Sequence, residues 1–139
     1  MSRGGAGGKR LKENEVGTVV VEAAIAVHRE LGNGLLESVY EAALAIELTE
    51  QGLRVERQVP VEVWYKGRSL DQGFRADLIV ERLVILELKS VESTSAIHKK
   101  QIQTYLNLTG LRLGYLLNFG AALMKQGIFR CVNNLTEND

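Results

Sequence analysis

At 139 residues, with 45% hydrophobic and 24% charged side chains, the chain is sized for one domain with a real core, and no apolar run is long enough to span a bilayer. Lys and Arg number 17 and Asp and Glu 17, so the formal charge is zero and any nucleic-acid binding has to come from a local patch rather than from the field of the whole molecule. Cys131 is the only cysteine, which excludes an internal disulfide and a cysteine-based zinc site.

Residues 1–12, MSRGGAGGKRLK, are rich in Gly and carry Arg3, Lys9, Arg10 and Lys12 with no acid, the composition of a flexible basic tail ahead of a single domain over 13–139. No apolar segment follows these basic residues, so a signal peptide is not expected and the expected location is cytoplasmic. From Glu13 to Leu31, Val16, Val19, Val20, Ala23, Ala24 and Val27 recur at helical spacing and predict a first helix. Gly32 to Gly34 break it. A second helix follows, with Leu36, Val39, Tyr40, Ala43, Leu44 and Leu48 as its inward stripe and Gly52 as its stop. Val55, Val59, Val61 and Val63 then alternate as in a strand, which turns back at Lys66-Gly67; Pro60 assigns this strand to a sheet edge or a bulge. Trp64 and Tyr65 beside the turn read as hairpin packing rather than as platforms for bases.

The segments FRADLIV and VILELK, joined by a short turn near Glu81 and Arg82, complete a three-stranded meander. A Ser or Thr cap, the apolar positions Ile97, Ile102, Tyr105 and Leu106, and Gly110 as a stop predict a helix over 95–109. Two further strands, LRLGYLLNF and GIFRCVN, and an acidic tail TEND finish the chain. A right-handed crossover through the third helix makes the strand after it parallel to VILELK. The fold class is therefore α/β: a mixed β-sheet flanked by helices, in the order α-α-β-β-β-α-β-β, with VILELK in the middle.

That central strand poses a chemical question, because Glu87 and Lys89 end a run otherwise fit for burial on both faces. Alternation puts Ile85, Glu87 and Lys89 on one side and Val84, Leu86 and Leu88 on the other. A carboxylate and an ammonium side by side at the mouth of a core can hold a cation and steady a developing negative charge. Asp77 shares a face with Arg75 and Ile79 under the same alternation. It can meet Glu87 only if the connecting turn keeps the phase, which requires a three-residue connection, Glu81 to Leu83, or a bulge.

An acid in one strand, Glu-x-Lys in the next, and Gln101 with Tyr105 on the following helix are joined here to GNGLLESVYEAALAIEL, RQVPVEVWYKG and AIHKKQIQTYL. In this order they resemble the PD-(D/E)XK nuclease superfamily, and specifically its GxxExxxR group, over residues 32 to about 132. The resemblance implies a restriction-endonuclease-like core and a metal site made by Asp77, Glu87, Glu37 and the backbone carbonyl of Leu88. It further implies that Lys89 orients the attacking water or stabilises the transition state, and that Gln101 places its helix at the site. An all-oxygen ligand set suits Mg²⁺ or Mn²⁺ as the cofactor. Two departures stand out. Glu41 occupies the place of the Arg in the group's name, so two like charges lie one turn apart, and Ala76 precedes Asp77 where the superfamily's label has Pro.

Two functions follow. The first is a Mg²⁺-dependent nuclease hydrolysing phosphodiester bonds of DNA or RNA, with His98, Lys99 and Lys100 at a helix N-terminus drawing the anionic backbone. The second is a non-catalytic nucleic-acid- or protein-binding module built on the nuclease fold, with a homodimer among the partners it allows.

Overall fold

A computed structural model of the chain describes residues 10–70 and 73–136. Residues 1–9 of the basic tail and 137–139 of the acidic tail lie outside the described residues. Leu11, within the stretch assigned to the basic tail, packs against the core.

Helix α1, Glu13–Leu31, buries Val16, Val20, Ala23, Ala24 and Val27, the stripe that its periodicity predicts. It stops at Gly32, whose φ of 71° lies in the region that glycine adopts without steric cost. Helix α2, Glu37–Glu50, turns inward the arc Tyr40, Glu41, Leu44, Ala45 and Leu48. The expected stripe is corrected at its start: Leu36 is 75% exposed and Val39 42%. Leu36 precedes the first helical turn, and burial of Glu41 rotates Val39 away from the core.

Strand β1, Val55–Val61, is followed by a separate ribbon made of β2, Trp64–Tyr65, and β3, Arg68–Ser69. Strands β4, Phe74–Val80, and β5, Val84–Lys89, lead into α3, Ala96–Thr109, and then into β6, Leu113–Asn118. A 3-10 turn at Met124–Gly127 precedes the last strand, β7, Ile128–Val132. The five long strands form one sheet in the order β1-β4-β5-β6-β7, so β5 is central and β1, which carries Pro60, is an edge. Strand β6 pairs parallel to β5 and the other neighbours are antiparallel, the mixed sheet that the chain order implies.

Helices α1 and α2 cover one face, burying Leu78, Val80, Val84, Leu86, Leu88, Leu113 and Leu117 beneath them. Helix α3 covers the other, where Ile102, Tyr105 and Leu106 pack with Ile79, Ile85 and Cys131. Its first-turn Ile97 is 73% exposed, a correction to the expected stripe, since α3 reaches the sheet only from Ile102 onward. Gly114 of β6 makes this approach possible: a Cβ there would stand 2.8 Å from Ile85 Cγ2 and 3.2 Å from Ile102. No helix among the described residues is long and apolar enough to cross a membrane.

Candidate active site

The connection between β4 and β5 is the three-residue Glu81–Leu83, closed by Leu83 N–H donating to the Val80 carbonyl at 2.9 Å. Val80 therefore opposes Val84 and Leu78 opposes Leu86. Continuing that register brings Asp77 across from Glu87, the phase that a shared site demands.

The backbone ladder between the two strands ends at Leu78 and Leu86, and side chains take over beyond it. The Asp77 N–H donates to Glu87 Oε1 at 3.3 Å, and the Leu88 N–H donates to Asp77 Oδ2 at 2.8 Å. Each carboxylate thus holds a backbone donor of the opposite strand. The parting of the strands has a cause in β1. Val55 packs with the core under α1 and α2, as Leu78 and Val80 do, whereas Val59, Val61, Phe74 and Ala76 pack with the core under α3. These residues share one parity, so the alternation inverts at Gln58 and Asp77, and Gln58 has a φ of 51°. A strict alternation placing Asp77 with Arg75 and Ile79 therefore does not hold at this point. Asp77 sits at the break itself.

Burial dominates the electrostatics of Glu87, which is 7% exposed. Burial first, and the Asp77 carboxylate second, push its pKa up to about 8, against the opposing pull of the Asp77 N–H and the Lys89 ammonium. Tyr105, stacked on Phe74 with ring centroids 3.5 Å apart, is also raised, by burial and then by the charges of Glu87 and Asp77. That places its hydroxyl within the field of the two acids.

Lys89 is half-buried and makes no ion pair with either acid, while its carbonyl accepts the Phe119 N–H at 2.8 Å. Glu37 stands at the same end of the sheet but faces the chain after β5: its Oε2 accepts the Ser90 N–H at 3.2 Å, and Ser90 Oγ donates to the Leu35 carbonyl at 2.6 Å. Gln101 is exposed and makes no hydrogen bond to Asp77 or Glu87. His98 is drawn into the helix cap, its Nδ1 accepting the Ser95 N–H at 3.1 Å. Lys99 lies over the Phe129 ring at 4.8 Å, and Lys100 is exposed.

The structure adds residues that sequence reasoning missed. Glu41, buried on α2, accepts from Arg57 Nε at 3.1 Å and from Gln58 Nε2 at 2.6 Å. Gln58 Nε2 also lies 3.3 Å from Asp77 Oδ1. The carboxylate of Asp77 is thereby tied to α2 through one amide. A signal existed: Glu41 beside Glu37 called for a cation, and Arg57 in β1 supplies it. Asn118 is the other missed residue. Buried at the end of β6, it accepts from the Val91 and Gly120 N–H groups and donates to the Val91 carbonyl, each at 3.0 Å. This clamps the chain leaving Lys89, and Gly120 fits because a Cβ there would lie 2.1 Å from the Val91 oxygen.

Among the described residues no group of three His, Cys, Asp or Glu side chains is gathered as a metal-ligand set. What the site offers is a pair of carboxylates with the Leu88 peptide between them and a lysine on the same strand. No curated protein and no solved structure matches the chain. The family model of the PD-(D/E)XK nuclease superfamily, by contrast, matches residues 14–131, a span that runs from the start of α1 into β7 and takes in every strand of the sheet. With a mixed sheet flanked by helices and that length of match, the chain belongs to the PD-(D/E)XK nuclease superfamily.

Proposed function

We propose that the protein is a divalent-metal-dependent nuclease that hydrolyses phosphodiester bonds of DNA or RNA. The observation that carries this reading is the pair Asp77 and Glu87, held together at the parted end of two strands with Glu87 pushed up to about 8. Two acids so placed repel each other, and without a cation one of them keeps its proton near neutral pH. The donor chemistry fits Mg²⁺ or Mn²⁺, ions that commonly take one or two carboxylates and keep several waters. Asp77, Glu87 and the Leu88 carbonyl would hold the ion, and Glu37, whose Oε2 accepts the Ser90 N–H, would have to leave that bond to join them. When bound, the ion lowers the pKa of water and offsets charge on the phosphate.

The remaining roles belong to the chain. Lys89, uncommitted to either acid, orients the attacking water or stabilises the negative charge of the transition state. Tyr105, stacked on Phe74, stands on the α3 side within the field of both carboxylates. Gln101 and the exposed Lys100 stand on the first turns of α3, where the helix dipole favours an anionic backbone; Lys99 adds positive charge while lying over the Phe129 ring, and His98 stands beside them, held in the cap through its acceptor Nδ1. Placement within the GxxExxxR group rests on GNGLLESVY, with the Arg57 guanidinium pairing Glu41 across space in place of an arginine on α2.

A second reading, a binding module without catalysis, is favoured by one observation: Glu37 and Glu41 are both engaged in bonds that hold the fold. One experiment separates the two. Labelled single-stranded, duplex and hairpin DNA and RNA are incubated with the protein in Mg²⁺ or Mn²⁺, alongside Asp77→Asn and Lys89→Ala. The nuclease reading expects cleavage by the parent and loss in both variants. A parent that cleaves nothing and whose melting temperature ignores both ions is a module.

A further inference from the structure

The ribbon of β2 and β3 leaves the sheet where Val61 pairs with Phe74, and it is a sheet of its own only two residues deep per strand. Of the aromatic side chains in the chain, Trp64 and Tyr65 are the two left exposed, at 61% and 60%; the other six are buried or half-buried. An assignment of these two to hairpin packing is therefore corrected. Two residues per strand provide no inner face to cover them.

Being adjacent in a strand, Trp64 and Tyr65 face opposite sides of the ribbon. The two sides differ. Lys66 Nζ lies 5.4 Å from the centroid of the Tyr65 ring, and Arg68 pairs directly across from Tyr65. Trp64 stands across from the small Ser69 and makes no ring contact among the described residues. One side is therefore cationic and the other presents a bare indole. From Trp64 to Ser69 the ribbon carries Lys66 and Arg68 and no acid, in a chain whose formal charge is zero. Acids flank it in the sequence, Asp71 after it and Glu62 before it, the latter lining a groove of about 270 Å³ at the ribbon's base with Pro60, Ser69, Phe74 and Arg75.

Position supplies the second argument. Strand β4 runs from Phe74, at the ribbon, to Asp77, three residues on and roughly 10 Å away at the usual strand rise. Arg75 lies between them. Strand β5 runs antiparallel to β4, so Glu87 and Lys89 come to the same end of the sheet. A strand of nucleic acid rises about 3.4 Å per stacked nucleotide, so about three nucleotides span the stretch of β4 between the ribbon's base and the acids.

We propose that the β2–β3 ribbon is a docking platform for single-stranded nucleic acid, with an unpaired base stacking on Trp64 on one side and the phosphates that follow, as the strand passes over the Lys66-Gly67 turn, taken by Lys66 and Arg68 on the other. This rests on the nuclease reading and names the form of substrate that the site receives. A stacked indole needs a base with an open face, which a duplex offers only at its ends. Stacking of this kind tolerates any base, so the platform contributes affinity and placement without sequence preference.

Trp64 is the only tryptophan in the chain, so its fluorescence reports on the ribbon alone. The test titrates the full chain carrying Asp77→Asn, in Mg²⁺, with an oligothymidine and with a blunt duplex, following tryptophan emission together with the polarisation of a labelled strand. The expected result is saturable quenching by the single strand and much weaker quenching by the duplex. Trp64→Ala should weaken single-strand binding about ten-fold or more, with its melting temperature near the parent's. Lys66→Ala with Arg68→Ala should lower the salt dependence of binding by about one to two phosphate contacts. If the parent cleaves single strands while polarisation rises and tryptophan emission stays constant, the ribbon is idle and the proposal falls, with the nuclease reading intact. Quenching without cleavage by the parent in either ion removes the nuclease reading and keeps the platform. Neither binding nor cleavage of any nucleic acid removes both.

Discussion

The two ends of the β4–β5 pair are built from the same two strands and do opposite things. At one end Val80 faces Val84, both fully buried, and the turn closes through left-handed Glu81 and Arg82, with φ of 56° and 55°. At the other end the ladder gives way, and Asp77 and Glu87 occupy the gap with their side chains. The first end spends backbone strain on a tight, phase-keeping connection, the second spends burial of charge on an open one. The site therefore depends on the turn. A connection one residue shorter would move Glu87 to the other face and leave Asp77 opposite Leu86.

The largest effect is expected from removing charge at the open end. Glu87→Gln should lower the rate of nucleic-acid cleavage by about a thousand-fold, while the metal-free protein at pH 8 or above becomes more stable than the parent. Denaturant melts beside a cleavage assay measure both, and a variant that cleaves at the parental rate would remove Glu87 from the site. At the closed end the opposite pattern is expected. Leu86→Ala deletes a fully buried side chain of the central strand and should cost about 2–5 kcal/mol of stability by urea titration, with cleavage by the remaining folded fraction close to normal.

Proton linkage sharpens the contrast. The folded-state pKa of Glu87 is raised from 4.5 to about 8, so the unfolded chain gives up this proton first as the pH rises. The metal-free protein should therefore be most stable with respect to this group below about pH 4.5. It should lose on the order of a few kcal/mol as the pH climbs to about 8 and level off above. Glu87→Gln should flatten that slope in melts recorded across the range. Saturating Mg²⁺ should flatten it too, because the ion favours the ionised form. A slope identical in parent and variant would assign the pH dependence to other groups.

The smallest expected effect lies at the turn. Arg82 holds a left-handed backbone with an exposed side chain whose contact with Glu56 is a surface ion pair. Arg82→Gly should stabilise the protein by up to about 1 kcal/mol by relieving that conformation. Cleavage should be unchanged. A destabilised variant would mean that the Glu56 contact outweighs the backbone term.

The three helices and the five long strands follow in their order from the sequence alone, whereas the separate ribbon of β2 and β3 does not. Helix α1 has the predicted bounds, Ser95 caps α3 and Gly110 ends it, β5 is central, and the parallel crossover to β6 follows from a helix between two strands. The three-residue connection between β4 and β5 was legible too, although the strict alternation it was drawn from breaks at Asp77. The matching superfamily was legible in the ordered motifs. Tertiary structure alone decided what touches the acids. Glu41, Arg57 and Gln58 meet Asp77 only because α2 and β1 fold against each other, and the inversion of alternation at Gln58 has no signature in a run of valines at regular spacing. The exposure of Leu36, Val39, Ile97, Trp64 and Tyr65 was decided there as well. Periodicity states which side chains share a face, and only packing states whether anything lies against it.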